Sequence, residues 1–385
     1  MTLKKIGWII KLKLVILLML LLSGCWDYKE IHQITFVTTI GIDYKDKVFT
    51  VYLQALNFAN IAQREGVRPP KHNSVVGTGK GATVTEAMFD LYKSEQQRVY
   101  WGHVSTMIIG EAALKEITVE QLTDTINRYR EIRYNIWIYG TDVPIDKLMD
   151  IQPNFGYSPY DSRLMKPDKT YSQFSTIKPM FLYRFLSDYY ERGVTAMLPK
   201  LVYEKSHWME NSKTTPHLII DGAYFYSHKK FRGEIPYSQL KGKRYLEKAA
   251  ERMLITINQN GQATATFVLN RPEIITKHTI QNGQVYYDIE LRLTGYLDEL
   301  IKEMSQPTMN SLVQKSVEKD IRRTFEAGKK IKADVLNLNT PVFRYDYQAW
   351  KQFIWPNPNM ENIQIRNINV KVLIKYTGKY KGRID

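Results

Sequence analysis

Between Val285 and Thr294 every second residue is apolar: Val285, Tyr287, Ile289, Leu291 and Leu293 alternate with Tyr286, Asp288, Glu290, Arg292 and Thr294. A period of two sets one face of a strand against a core and the other in water. Just upstream, Gln281-Asn282-Gly283-Gln284 carries the Asn-Gly pair of a hairpin turn. Downstream, Val313, Val317, Ile321 and Phe325 share one stripe of a helix expected over about 308–328. The last apolar run changes phase: Ile363 and Ile365 share one parity, and Ile368, Val370, Val372 and Ile374 the other. One extra residue near Asn367, a β-bulge, returns all of them to one face. The pattern predicts a C-terminal α+β domain over 253–385, an antiparallel sheet packed on one long helix.

The first half reads differently. Runs 34–42 and 47–57 are β-rich and joined by Asp43-Tyr44-Lys45-Asp46, a hairpin by its turn residues. A third strand is expected to end at Gly77. Thr83-Val84-Thr85-Glu86 is a capping box opening a helix to about Arg98. Strand 104–109, helix 119–131, strand 134–140 and a short helix after Pro144 follow. Helices alternating with strands predict a sheet covered by helices, an α/β-type domain over 25–192. From Asp150 to Pro179 the text turns to Pro, Ser, Tyr and Lys without periodicity, predicting an exposed loop. Leu182, Phe185, Leu186 and Tyr189 mark the apolar face of one helix. Strands near 195–204 and 217–227, closed by a basic helix around 236–252, predict a small middle domain over 193–252. The fold class is α+β and multi-domain, with mixed sheets and helices.

The N-terminus changes the setting. Lys4, Lys5, Lys11 and Lys13 precede nine unbroken apolar residues, Leu14 to Leu22, and then Leu22-Ser23-Gly24-Cys25. Charge, core and small residues before a cysteine make a lipoprotein signal peptide over 1–24, with Cys25 as the lipid acceptor. Nine residues fall far short of the roughly 20 that a spanning helix needs. Cys25 is the only cysteine, so once it is acylated no thiol is left for a disulfide, a metal or redox chemistry. The formal net charge is +15. On an exported chain that balance suits an anionic membrane face or an acidic partner better than nucleic acid, which is not expected as a partner.

The mature end, CWDYKEIHQITFVTTIGIDYKDKVFTVYLQ, resembles the opening of the Ger(x)C family, the lipoprotein subunits of nutrient germinant receptors in endospore-forming bacteria. The carriers are Cys25-Trp26-Asp27, Glu30-Ile31 and Gly41-Ile42-Asp43. GKGATVTEAMFDL (79–91), YWGHVSTMIIGEAA (100–113), RYREIRYNIWIYG (128–140), MLPKLVYE (197–204) and GAYFY (222–226) are similar to the family's next blocks, in order. RTFEAGKKIKADVLNL (323–338) and AWKQFIWPN (349–357) resemble its close. The chain departs at Ala333-Asp334-Val335-Leu336-Asn337-Leu338, where the family usually has a glycine-rich aspartate loop. The resemblance implies a lipid-anchored subunit on the outer face of the spore inner membrane. Its implied partners are the receptor's integral membrane subunits and the bilayer, reached through lipidated Cys25.

Catalytic chemistry is nearly absent from the text. Gly77-Thr78-Gly79-Lys80-Gly81-Ala82 matches a dinucleotide fingerprint only in its loosest form and is no Walker loop. The seven histidines lack zinc spacing, no serine sits in a nucleophile elbow, and no carboxylate pair stands out. No catalytic residue, metal or cofactor is expected. Two basic stretches remain, around Lys241, Lys243 and Arg244 and along Lys315, Lys319, Arg322 and Arg323. Each reads either as a solvated face or as a contact with anionic lipid or a membrane partner. In the 150–179 segment, Tyr157, Tyr160, Tyr171 and Phe174 either anchor an interface or pin the loop to its own domain. The rival function is a solute-binding lipoprotein of a transporter, against which the antiparallel C-terminal third argues.

Overall fold

The computed structural model describes residues 34–56 and 74–376, with a few helical positions nearer the N-terminus (7–8, 11 and 13–15). Cys25, the expected lipid acceptor, lies outside the described residues. Among those described, no helix is long and apolar enough to cross a membrane.

Strands β1 (Ile34–Lys45) and β2 (Val48–Leu56) pair antiparallel through a two-residue turn, Asp46 and Lys47, both left-handed at φ 54° and 64°. That primed turn matches the twist of its strands, so the expected four-residue turn moves on and Asp43 stays in β1. β3 (Ser74–Gly81) adds to β2 and runs beyond Gly77. Thr83 caps α1 (Val84–Tyr92): its hydroxyl accepts from Glu86 N at 3.0 Å, and the Glu86 carboxylate accepts from Ala82 N at 2.8 Å. A Cβ on Gly79 would stand 2.1 Å from the Ala87 carbonyl oxygen. The alternate glycines therefore let α1 lie directly on β3. The loose nucleotide fingerprint is a packing device.

α1 stops at Tyr92, short of Arg98. The chain then turns into β4 (Arg98–Tyr100), which runs parallel to β1. β5 (Thr106–Gly110) is also parallel to β1. α2 (Glu111–Glu116) and the capping-box helix α3 (Val119–Arg128) lead to β6 (Trp137–Thr141), parallel to β5. α4 (Ile145–Met149), α5 (Pro167–Gln173) and α6 (Leu182–Tyr190) precede β7 (Ala196–Glu204). A ribbon of β8 (Met209–Glu210) and β9 (Lys213–Thr214) follows, then β10 (His217–Ser227) and β11 (Lys230–Ile235). β7 meets β6 at one parallel pair, Gly140 with Lys200, and β10 and β11 continue antiparallel beyond it. The result is one nine-stranded sheet in the order β11-β10-β7-β6-β5-β1-β2-β3, with β4 beside β1. The strands expected in a separate middle domain at 193–252 are thus hydrogen-bonded into the N-terminal sheet. A single non-local pair leaves no trace in a local pattern.

The segment 150–179 is not the exposed loop the sequence predicts. It holds 3₁₀ turns at Asn154–Gly156 and Pro159–Asp161, then α5. Leu164 and Met165 are buried with Ile108, Tyr139 and Leu201 on one face of the sheet, and Thr106 Oγ1 donates to Leu164 O at 2.8 Å. Its few apolar residues are spaced irregularly because they cover a sheet face without forming one long helix.

In the C-terminal sheet β12 (Met253–Gln259), β13 (Gln262–Gln281) and β14 (Gln284–Leu300) pair antiparallel; Asn282 and Gly283 make the β13–β14 turn with φ 49° and 77°. The long helix α8 (Gln306–Lys330) buries Val313, Val317, Ile321 and Phe325 as predicted. β15 (Ile363–Tyr376) returns beside β14 in parallel, the one departure from an antiparallel sheet. The connection through α8 is long enough for a crossover, which parallel pairing requires. The expected bulge is real: Tyr287 faces Ile365 while Asp288 faces Asn367, leaving Arg366 as the extra residue. One buried cluster runs from Val37 in β1 to Ile374 in β15, so the sheets share a core.

Candidate contact surfaces and the junction between the sheets

Lys241, Lys243 and Arg244 follow the short helix α7 (Tyr237–Leu240) in a 3₁₀ turn over Lys241–Leu246, which replaces the expected basic helix. Only Lys241 is exposed. Arg244 is 4% exposed; its guanidinium donates to Tyr237 Oη at 3.1 Å, Tyr245 Oη at 2.8 Å and the Leu254 carbonyl at 2.8 Å. Lys243 runs a half-buried stem inward and its Nζ donates to Val335 O at 2.7 Å. Burial pulls that ammonium below its ordinary range. The turn can sit so deep because residue 242 is glycine: a Cβ there would stand 2.4 Å from Asp320 O on α8. Gly242 N also donates to Thr324 Oγ1 at 3.0 Å. The basic stretch expected as a surface is therefore, at two of its three positions, an interior junction.

The atypical segment 333–338 packs at the same junction. Asp334 is 5% exposed and accepts from Asn339 N at 2.7 Å, satisfying the first N–H of α9 (Asn339–Tyr345). Burial pushes its carboxyl up, with the backbone N–H groups pulling the other way. Asn337, left-handed at φ 56°, binds both backbone groups of Thr195: Oδ1 accepts from Thr195 N at 2.8 Å, and Nδ2 donates to Thr195 O at 3.3 Å. Thr340 Oγ1 donates to Gly193 O at 2.9 Å. These bonds staple the C-terminal part to the start of β7. A cavity of about 20 Å³, room for roughly one water, lies between Asp334, Thr195, His228 and Trp350. Burial lowers His228, with Arg232 and Lys230 adding to it.

A second seam holds the halves of the large sheet. Lys200, at the sole β6–β7 pair, puts Nζ 2.6 Å from Asp142 Oδ2 and 2.9 Å from Glu234 Oε1. Burial alone would lower this ammonium, but the two carboxylates outweigh it and its affinity for protons rises. Neither this triad nor the Asn337 staple was singled out from sequence, since partners 34 to 142 residues apart have no common spacing.

The other basic stretch, on α8, keeps Lys315, Lys319 and Arg323 exposed, while Arg322 donates to Ile365 O at 3.1 Å and pairs with Glu318. Of the four aromatic residues singled out in 150–179, Tyr157 and Phe174 are exposed. Tyr160 is less so, under the Lys166 ammonium at 4.9 Å from its ring centroid. The Tyr171 hydroxyl is buried, and burial raises it. Sequence reasoning passed over the most exposed ring of the segment, Phe155, and the β8–β9 ribbon with Trp208 and Met209. Asn211-Ser212, both at positive φ, was the available turn signal. Among the described residues no group of three or more His, Cys, Asp or Glu side chains is placed to hold a metal.

Residues 27–203 match the family described as "Spore germination protein N-terminal domain", and residues 220–378 match "Spore germination B3/ GerAC like, C-terminal". The chain is 22% identical over 394 residues to spore germination protein KC of Bacillus subtilis (strain 168), covering 95% of each. It is 25% identical over 349 residues to the putative spore germination protein YfkR of the same strain, covering 87% of this chain and 88% of that one. The crystal structure of the GerBC protein superposes with a TM-score of 0.53 at 15% identity, over 89% of this chain and 99% of the other, which shows a shared fold.

Proposed function

We propose, since the chain belongs to the Ger(x)C family of spore germination proteins, that it serves as the lipid-anchored, non-catalytic subunit of a nutrient germinant receptor. One observation carries the reading: two consecutive germination-family matches fill residues 27–203 and 220–378, directly behind a lipobox cysteine. Acylation of Cys25 holds the body on the outer face of the spore inner membrane, because two acyl chains at about 0.8 kcal/mol per buried methylene anchor far better than one. The body then acts by contact with the receptor's integral membrane subunits, through assembly or signal relay. Two family-matched parts stapled across one core suit a rigid element that transmits contacts.

The test is a clean deletion scored for germination with nutrients and, separately, with a non-nutrient trigger. Loss of the nutrient response alone supports the reading. Normal germination with impaired solute uptake overturns it in favour of a transporter-associated binding lipoprotein. Metabolic labelling with a lipid precursor tests the anchor: Cys25→Ala should abolish incorporation.

A further inference from the structure

Four of the exposed large apolar side chains come together around one contact between the 150–179 segment and the β8–β9 ribbon. Phe155 is 89% exposed and Tyr157 61%, and their rings meet edge to face with centroids 6.4 Å apart. Met209 opens β8, with Trp208 immediately before it, and both are exposed as well. The imidazole of His217, at the start of β10, joins the two segments. Its Nε2 lies 2.9 Å from Asn154 Oδ1, and the Trp208 ring packs on it at 5.6 Å.

Phe155 is held at φ 60° and ψ 21°. A bulky side chain in the left-handed region is an outlier that costs about 1–3 kcal/mol, where Asn or Gly would sit with less strain. Apart from its edge contact with Tyr157, the ring is left in water and gains little burial in return. The rings project from tips and do not line a groove, and exposed Lys205 and Lys213 flank Trp208 and Met209, with Glu210 at the ribbon's end. Amphipathic aromatics with flanking lysines suit the headgroup boundary of a bilayer, where rings enter and ammonium groups stay with phosphates.

The chain's entry agrees with that occupant. Gln152 Nε2 donates to Ser74 Oγ at 3.0 Å; Ser74 pairs with Leu56 and Leu56 with Phe36, two residues into β1. The projecting tip is thus tied to the end of the sheet where the chain arrives from Cys25. The stretch from Cys25 to Ile34 spans at most about 30 Å fully extended. We propose that Phe155, Tyr157, Trp208 and Met209 form a bilayer-docking surface that lays the body against anionic phospholipid beside the anchor. This rests on the reading that Cys25 is acylated.

The test uses the full-length lipidated chain, in which acylation occupies the native thiol, carrying one added cysteine with an environment-sensitive fluorophore: Tyr157→Cys, Trp208→Cys or, as a control on another exposed site, Tyr345→Cys. Each is reconstituted on vesicles of mixed phosphatidylglycerol and phosphatidylcholine with and without nitroxide-bearing lipid, and flotation reads anchoring separately. The expected result is a blue shift and nitroxide quenching at 157 and 208, neither at 345, and weaker quenching on phosphatidylcholine alone. Flotation with watery labels at 157 and 208 overturns the docking surface and leaves the anchor intact. Quenching at all three sites overturns it too, as indiscriminate adsorption. Absence of flotation overturns anchor and docking together.

Discussion

Two segments of similar length are turned inside out relative to each other. At 241–244 the charges go inward, Arg244 onto Tyr237, Tyr245 and Leu254 and Lys243 onto Val335. At 155–157 the rings go outward, Phe155 and Tyr157 into water. Composition alone assigns the first to the surface and the second at least partly to the interior. What decides is the backbone. Gly242 lets the turn sink onto α8, while Phe155, left-handed at φ 60°, carries its ring exposed. A residue type gives the free energy of burial; the local backbone decides whether burial is on offer.

The sharpest way to break the contrast is Arg244→Ala. If the guanidinium is an interior group, its loss leaves two phenols and a carbonyl without their donor and costs about 3–5 kcal/mol in denaturant unfolding. A cost below about 0.5 kcal/mol would return the residue to the surface class. Next comes Lys200→Met, which leaves Asp142 and Glu234 facing each other. Both carboxylates keep some solvent, so about 1–3 kcal/mol is expected by the same measurement.

Acid titration probes the junction from another side. Burial lowers His228, and His103 likewise, so the folded chain binds protons there less tightly than the unfolded chain. Stability is then lost as pH falls below the ordinary imidazole value of 6.5. Burial raises Asp188, Asp320 and Asp334, which works in the opposite sense at lower pH, since the folded form holds those protons more tightly. His228→Gln should flatten the slope below pH 6.5 while His103 keeps the remainder, as read by midpoint shifts in a pH series of melts.

Phe155→Asn reverses the sign: relief of the left-handed strain should stabilise the body by about 1 kcal/mol while weakening bilayer docking. Equal stability would mean that the strain is not felt. The smallest effect belongs to Lys241→Glu. It is exposed at the rim of the buried turn and should stay within about 0.5 kcal/mol of the parent. Any loss of partner recovery in that variant would therefore report contact and not folding.

In periodic elements the buried faces were legible, their ends only to within a few residues. The phase change between Ile365 and Ile368 located a bulge that the structure assigns to Arg366, whose guanidinium pairs with Asp288 across the sheet. The stripe Val313, Val317, Ile321, Phe325 gave the buried face of α8. Turns were legible only to within a few residues, because Asp43-Tyr44-Lys45-Asp46 holds several polar residues and only register selects Asp46-Lys47. Long-range pairings were not legible at all. Nothing near Lys200 announces Asp142 or Glu234, and the parallel return of β15 depends on the length of the path through α8. The proposed docking surface was half legible: Tyr157 was singled out, while Phe155 entered the proposal through a dihedral angle that no residue pattern states.

Gly140 and Lys200 form the only backbone rung between β6 and β7. In a long ladder, successive rungs fix the angle between neighbouring strands, normally a twist of about 20–25°. One rung cannot fix that angle, so packing takes over: the Tyr224 ring lies so close on Gly140 that a Cβ there would stand 2.4 Å from it. The attitude of β7, β10 and β11 to the rest of the sheet is therefore set by side chains: the buried packing of Leu198, Tyr224 and Phe225, the Lys200 ion triad, and the clasp by which Asn337 of the C-terminal part holds Thr195. Hydrogen bonds of the main chain are indifferent to ionisation and substitution, and these clasps are not.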